Sequence, residues 1–215
     1  LFSLKTNLLV MPGGSELLYY GRGELKAPSF YDFDLLSNLG ERFQSIEQTN
    51  VFARDNVAFF NNQALFYVMG ESLETSIYQK GLEEKNDLEV FNTPLFPRGF
   101  VSELAETYNM KLDPFKGAAL IEHIFAKDEP KQKLNFILKD ISGNDYEDYE
   151  EHKMIFLDPQ NKKLVSAFFI NLSRGLYNLA IYDEKNKWLK NKTFYVEEAM
   201  SEEVAGSLTY LETYC

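Results

Sequence analysis

Two histidines, one cysteine and a run of carboxylates are the residues of this 215-residue chain whose types could do chemistry. His123 sits in "IEHIF", two residues from both Ile121 and Phe125. In a strand all three share a face, which reads as a packed or edge-strand side chain rather than a ligand. His152 follows the acidic run and reads as a solvated one. Zinc wants three or four His, Cys or carboxylate ligands at recognisable spacing, and HExxH is absent. A Ser-His-Asp triad would have to use one of the two histidines, and no GxSxG elbow accompanies them. Cys215, at the last position, can make neither an internal disulfide nor a multi-cysteine metal site. As a nucleophile it would sit on a terminus with no organised base nearby. No catalytic and no cofactor-binding residue is assigned.

The acidic run "DYEDYEE" offers the one metal expectation. Asp145, Glu147, Asp148, Glu150 and Glu151 supply enough oxygens for a hard cation such as calcium. Their spacing departs from the D-x-[DN]-x-[DN]-G pattern, because Gly143 precedes the acids. The competing reading is a solvated, self-repelling loop. Paired carboxylates for glycoside hydrolysis are a further option among 33 acidic residues, and need a cleft with a separation near ~5 or ~6.5–9.5 Å. Trp188 is the candidate for stacking on a sugar ring, although most Phe and Tyr follow strand-core patterns. Asn171-Leu-Ser173 and Asn191-Lys-Thr193 are formal glycosylation sequons.

The elements that would position these residues are strands. The composition is that of a globular chain, 45% hydrophobic and 26% charged, with 18 Phe and 13 Tyr among its aromatics, and aromatic residues favour a half-buried pleated surface. A net charge of −11 argues against a nucleic-acid partner, which needs clustered Lys and Arg. It argues equally against docking on an anionic membrane. No segment approaches the ~20 apolar residues of a spanning helix. The chain opens "LFSLKTNLLVMPGG", without an initial Met and without a basic n-region before an apolar run, and reads as a mature or trimmed chain.

Along the chain, "LKTNLLV" and "ELLYYGRGEL" flank "MPGGS" as strand–turn–strand. Residues 30–43 have near-helical apolar spacing ending at Gly40. The stretch 46–70 reads as strands with a hairpin turn at Asn61-Asn62. Phe100, Val101, Leu104 and Tyr108 mark one face of a helix between Pro97 and Asp113-Pro114. From Gly117 strands follow one another at short, turn-marked intervals. Leu134, Phe136 and Leu138 alternate with Asn135 and Lys139, and Tyr177, Leu179 and Ile181 share a face, the pattern of a small β-sandwich.

The order "KGAALIEHIFAKDEPKQKLNFILKDISGN…FFINLSRGLYNLAIYDEKNKWLKNKTFYV", over about residues 117–197, resembles a carboxypeptidase regulatory-like domain, the transthyretin-like sandwich of seven strands. Gly117 opens the unit, Asp128-Glu129-Pro130 occupies its first turn, and Asn171, Gly175 and Tyr177 match the family's Asn-x-x-x-Gly-x-Tyr turn. Ser173-Arg174 stand where prolines are usual, and Asn186-Lys187 where the hairpin glycine falls. The resemblance implies a non-catalytic module beside enzymes or in surface and envelope proteins, and its motif carries over no catalytic residue.

The fold class expected is therefore all-β: two β-rich domains, the C-terminal one a transthyretin-like or Ig-like β-sandwich, joined by a short helical connector. The divisions are 1–96, a connector over 97–116, the sandwich over 117–198 and an extension over 199–215 that adds a helix or a strand. The expected function is a non-enzymatic binding or structural module of the cell envelope, periplasmic, outer-membrane-associated or at the cell surface, whose partner is a protein or a cell-surface glycan. The alternatives are a glycan-binding module or cryptic glycoside hydrolase, and a cytosolic protein-interaction domain. No cofactor is expected beyond the calcium option.

Overall fold

The computed structural model describes residues 5–13, 33–37, 42, 44–45, 52–58, 63–81, 88–125, 133–143, 152–157, 164–199 and 206–214. The chain divides into two compact units, Leu1–Leu18 with Glu24–Phe100, and Tyr19–Gly23 with Val101–Cys215. Strands dominate the described residues, as the aromatic content requires.

The first unit holds β1 (Lys5–Gly13), β2 (Phe33–Ser37), β3 (Gln44–Ser45), β4 (Phe52–Ala58), β5 (Gln63–Gly70), β6 (Ser76–Gly81) and β7 (Leu88–Pro94). One sheet runs β3-β4-β1-β7, with β1 antiparallel to β4 and parallel to β7. A second, antiparallel ladder runs β6-β5-β2. Three local expectations change here. Residues 33–37 form β2 rather than part of a helix, because Phe33–Ser37 pair with Phe66–Gly70 of β5; so short an apolar run fits either period, and the available partner decides. Strand β1 continues through Pro12 to Gly13 instead of turning at "MPGG". Its pairing with β4 ends at Val10, so Pro12 stands where one ladder only is present, a position proline tolerates. The described strands on either side of Asn61-Asn62, β4 and β5, lie in different ladders and do not pair with each other; Asn61-Asn62 itself lies outside the described residues.

The apolar centre of this unit is aromatic. Phe66 stacks on Tyr78 at 5.1 Å and Tyr78 on Phe96 at 6.4 Å. The buried Tyr78 hydroxyl donates to the Pro94 carbonyl, which offsets the cost of removing a phenol from water. Burial pushes its pKa far above the ordinary phenol range.

Helix α1 (Phe100–Thr107) follows, with Phe100, Leu104 and Ala105 buried. It stops well before Asp113-Pro114. Asn109 takes a left-handed backbone at φ 53, Met110 N–H donates to Ala105 C=O at 2.8 Å, and Asn109 N–H donates to Glu106 C=O at 3.1 Å. These two bonds satisfy the terminal carbonyls in the manner of a Schellman closure.

The second unit is a two-layer β-sandwich of β8 (Gly117–Ile124), β9 (Asn135–Asp140), β10 (Lys153–Leu157), β11 (Leu164–Leu172), β12 (Gly175–Tyr182), β13 (Trp188–Val196) and β14 (Leu208–Tyr214). One layer runs β10-β11-β8-β14 and the other β13-β12-β9. Residues 208–214, left open in sequence between helix and strand, pair parallel with β8. The layers close on Ile121, Phe136, Phe169, Leu179, Phe194 and Leu211 among others, each contributing about 1.5–3 kcal/mol by burial. Tyr177, Leu179 and Ile181 all enter this core, as their alternation requires. Gly206 lies where the chain approaches β8 most tightly: a Cβ there would stand 1.9 Å from the Lys116 carbonyl oxygen.

Candidate functional site

His123 is fully buried on the core-facing side of β8, edge-on to Phe125 with ring centroids 4.9 Å apart. Its Nδ1 lies 2.7 Å from Thr213 Oγ1, on the neighbouring strand in direct register. The Thr213 hydroxyl in turn lies 3.4 Å from the Glu122 carbonyl oxygen. When it donates there, Nδ1–H donates to Thr213 and Nε2 is left as a bare lone pair. Among the described residues no hydrogen-bonding partner meets that buried Nε2. Burial, helped by the Lys190 ammonium, lowers the His123 pKa to about 4. The result is a neutral imidazole buried in a core, whose hydrogen-bond partner among the described residues is the Thr213 hydroxyl.

Its sequence neighbour Glu122 points to the opposite face of the same sheet and is also fully buried. The Tyr210 hydroxyl lies 2.6 Å from Glu122 Oε2 and 2.9 Å from Glu212 Oε1. Glu122 and Glu212 stand directly opposite in the β8–β14 register, so one phenol ties together two carboxylates. Sequence reading missed this trio. The signal was there in "IEHIF" and "TYLETY", each of which places a glutamate inside an apolar strand. With Glu122 wholly enclosed, the pair is a linkage across the sheet rather than the two walls of an open cleft.

The Asn171, Gly175, Tyr177 turn is structural throughout. Asn171 adopts φ 59 and Gly175 φ 153, conformations that cost little for Asn and Gly alone. The Asn171 side chain accepts from Asp113 N–H at 2.7 Å and donates to the Lys111 carbonyl at 2.8 Å, clamping the connector after α1. Both ends of the amide are thereby occupied, although Asn171 is a formal sequon. Tyr177 donates to the Ser173 carbonyl at 2.8 Å, closing the turn as a tyrosine corner does. At the β12–β13 hairpin Asn186 takes φ 59, and Asp183 Oδ1 accepts from the N–H groups of Lys185 and Lys187, each at 2.8 Å.

The outward face of the three-stranded layer carries the exposed Trp188, Asn191 and Asn135. Because Tyr177, Leu179 and Ile181 point inward, Asn178, Ala180 and Tyr182 point outward. Across the strands Tyr182 faces Asn135 and Trp188, Ala180 faces Ile137 and Asn191, and Asn178 faces Lys139 and Thr193. A register shift beside Tyr182 lets Leu189 pack on the core while Trp188 turns out, 55% exposed. The Trp188 indole N–H donates to Asn191 Oδ1 at 3.0 Å, and Thr193 donates to Asn178 Oδ1 at 2.7 Å. At the far end Arg174 bonds the Tyr195 hydroxyl at 2.9 Å and pairs with Glu197 at 3.0 Å.

No family model matches the chain, and no curated protein matches it in sequence. Similar solved structures include CBMbc, a family CBM26 module from Eubacterium rectale Amy13K in complex with maltoheptaose. It is 8% identical, covers 99% of this chain and 92% of its own, and superposes at a TM-score of 0.32. The major pilin subunit BcpA of Bacillus cereus is 7% identical, with 90% of this chain and 70% of its own covered, at a TM-score of 0.24. The β-sandwich of the second unit rests on its own ladders and core.

The calcium candidates Asp145, Glu147, Asp148, Glu150 and Glu151 lie outside the described residues. Among the described residues, no group of three or more His, Cys, Asp or Glu side chains could hold a metal. Also among them, no helix is long and apolar enough to cross a membrane. His152 is half-buried at the start of β10.

Proposed function

We propose that the protein is a non-catalytic binding or structural module whose second unit is a transthyretin-like sandwich of the carboxypeptidase regulatory kind, working in the cell envelope or outside the cell. The supporting observation is that the polar groups with catalytic potential are spent on the fold. His123 is neutral, enclosed and bonded to Thr213. The Asn171–Tyr177 turn spends its polar side chains on backbone groups. Among the described residues, the second unit offers to solvent the outward sheet face of β12 and β13. The net charge of −11 keeps such a chain soluble and away from anionic polymers.

The reading is tested by prolonged incubation with soluble polysaccharides and chromogenic glycosides, with reducing ends and released chromophore measured. The expected result is no release above the protein-free blank. Release that disappears on a single Glu122→Gln or Glu212→Gln exchange overturns the passive reading. Fractionation of the source cells tests the compartment, with recovery in the envelope or medium expected and recovery in the cytosol against it.

A further inference from the structure

The outward face built on β12 and β13 differs in charge from the chain that carries it. The three rungs around Ala180 contain one ammonium, Lys139, and no carboxylate, while the whole chain carries 33 acidic and 22 basic residues. A partner recognised by charge would find little here. The face offers one exposed indole and a phenol beside it, then Asn191 with the apolar Ala180 and Ile137 on the next rung, and Asn178, Thr193 and Lys139 on the rung beyond. Ala180, the smallest side chain of the three central positions and only 6% exposed, lies between the aromatic rung and the Asn178–Thr193 rung, about 7 Å from each.

Two bonds fix this arrangement in advance. The Trp188 indole N–H is held by Asn191 Oδ1, and Asn178 is held by Thr193. Side chains already fixed lose less conformational freedom on binding. A partner with flat C–H faces for the ring and neutral hydroxyls for the amides fits that combination. A protein interface would present an exposed apolar centre around its aromatic anchors, whereas here Ala180 is buried and Ile137 partly buried, so the groups beside Trp188 that reach solvent are chiefly amides and a hydroxyl.

We propose that this face binds a neutral oligosaccharide, with a sugar ring stacked on Trp188 and neighbouring hydroxyls met by Asn191 and the Asn178–Thr193 pair. The proposal deepens the passive-module reading and rests on it. Trp188 is the single tryptophan of the sequence, so indole emission reports on this face alone. The experiment titrates the full chain with neutral gluco-, manno-, xylo- and galacto-oligosaccharides while following that emission, and measures retention on the same sugars immobilised. At least one series gives a saturable emission change. Trp188→Ala lowers its retention about tenfold or more, equivalent to about 1.4 kcal/mol. Trp188→Phe keeps part of the retention by keeping a ring. Unchanged circular dichroism shows that the variants fold, and Lys187→Ala serves as the binding-neutral control.

A flat titration with every series overturns the proposal. So does retention that Trp188→Ala leaves unchanged, or emission that responds to a protein ligand and to no sugar. The two readings fail separately. Sugar release by the protein would remove the passive reading and leave the face standing, whereas no binding and no release would remove the face alone.

Discussion

His123 Nδ1 and Thr213 Oγ1 lie 2.7 Å apart across a parallel pair of strands. The bond joins the first strand of the second unit to its last, since β8 opens the sandwich and β14 closes it. A hydroxyl and an imidazole satisfy each other inside an apolar core, at the cost of an Nε2 that no described residue completes. An unsatisfied buried nitrogen of this kind costs about 1–3 kcal/mol. Protonation would leave the Nδ1–H bond in place but add a charge inside the core, which burial opposes.

Stability should therefore fall in acid before the carboxylates titrate. The folded His123 pKa of about 4 lies below the ordinary 6.5, so between those values the unfolded chain binds the proton and the folded one resists it. The contribution is complete above pH 6.5 and is lost progressively down to about pH 4, at up to roughly 1.4 kcal/mol per pH unit, or about 3 kcal/mol in all. Urea midpoints measured across that interval should slope accordingly. In His123→Phe the slope should flatten; an identical slope in the variant would assign the acid loss elsewhere.

The Asn171 clamp separates two effects that one substitution would merge. Asn171→Gly keeps the left-handed backbone at φ 59 and removes the bonds to Asp113 and Lys111, at about 1–2 kcal/mol. Asn171→Ala should cost about 1 kcal/mol more, because a Cβ without the compensating amide disfavours that backbone. Both variants should expose the 109–116 connector to proteolysis, and equal midpoints for the two would show that the backbone conformation contributes nothing.

Gly206 is a test of close packing rather than of φ. A methyl at this position would meet the Lys116 carbonyl at 1.9 Å, and a backbone atom cannot swing aside as a side chain can. Gly206→Ala should lower stability by about 3 kcal/mol or more, seen as a drop in thermal midpoint. A midpoint within a degree or so of the parent would mean that the 206–207 segment moves away freely.

The second unit was legible in sequence because its strands alternate strongly. Leu134, Phe136 and Leu138, and likewise Tyr177, Leu179 and Ile181, went to the core as their spacing required. The residues of the turn motif were reached through the family resemblance rather than through alternation, and in the structure each answers a local backbone need. Residues 33–37 were not, since "FDLLS" carries no period long enough to separate helix from strand and its state is set by β5. Nor was the sheet order of the first unit, where β1 lies between β4 and β7 through pairings remote in sequence. The Glu122–Tyr210–Glu212 trio escaped because its members are separated by 88 residues between Tyr210 and Glu122. The exposure of Trp188 turns on a register shift, which alternation alone does not announce.

The last prediction concerns the edge of the sandwich. β13 ends its layer, and among the described residues no strand pairs with the outer side of residues 188–193. Its core-facing side changes character along its length, from Val196 and Phe194, fully buried, to Lys192 and Lys190, half-buried. Inward-pointing charge is a known guard on exposed edges, because an incoming strand would have to bury it. The cost shows in Lys192, whose pKa is lowered by burial and then by the nearby Lys190 ammonium. Lys192→Ile should raise the thermal midpoint by relieving both effects, and should also raise the tendency to self-associate. Calorimetry and concentration-dependent light scattering read the two changes separately. A higher midpoint with a monomeric scattering profile would show that the lysine taxes the fold without guarding its edge.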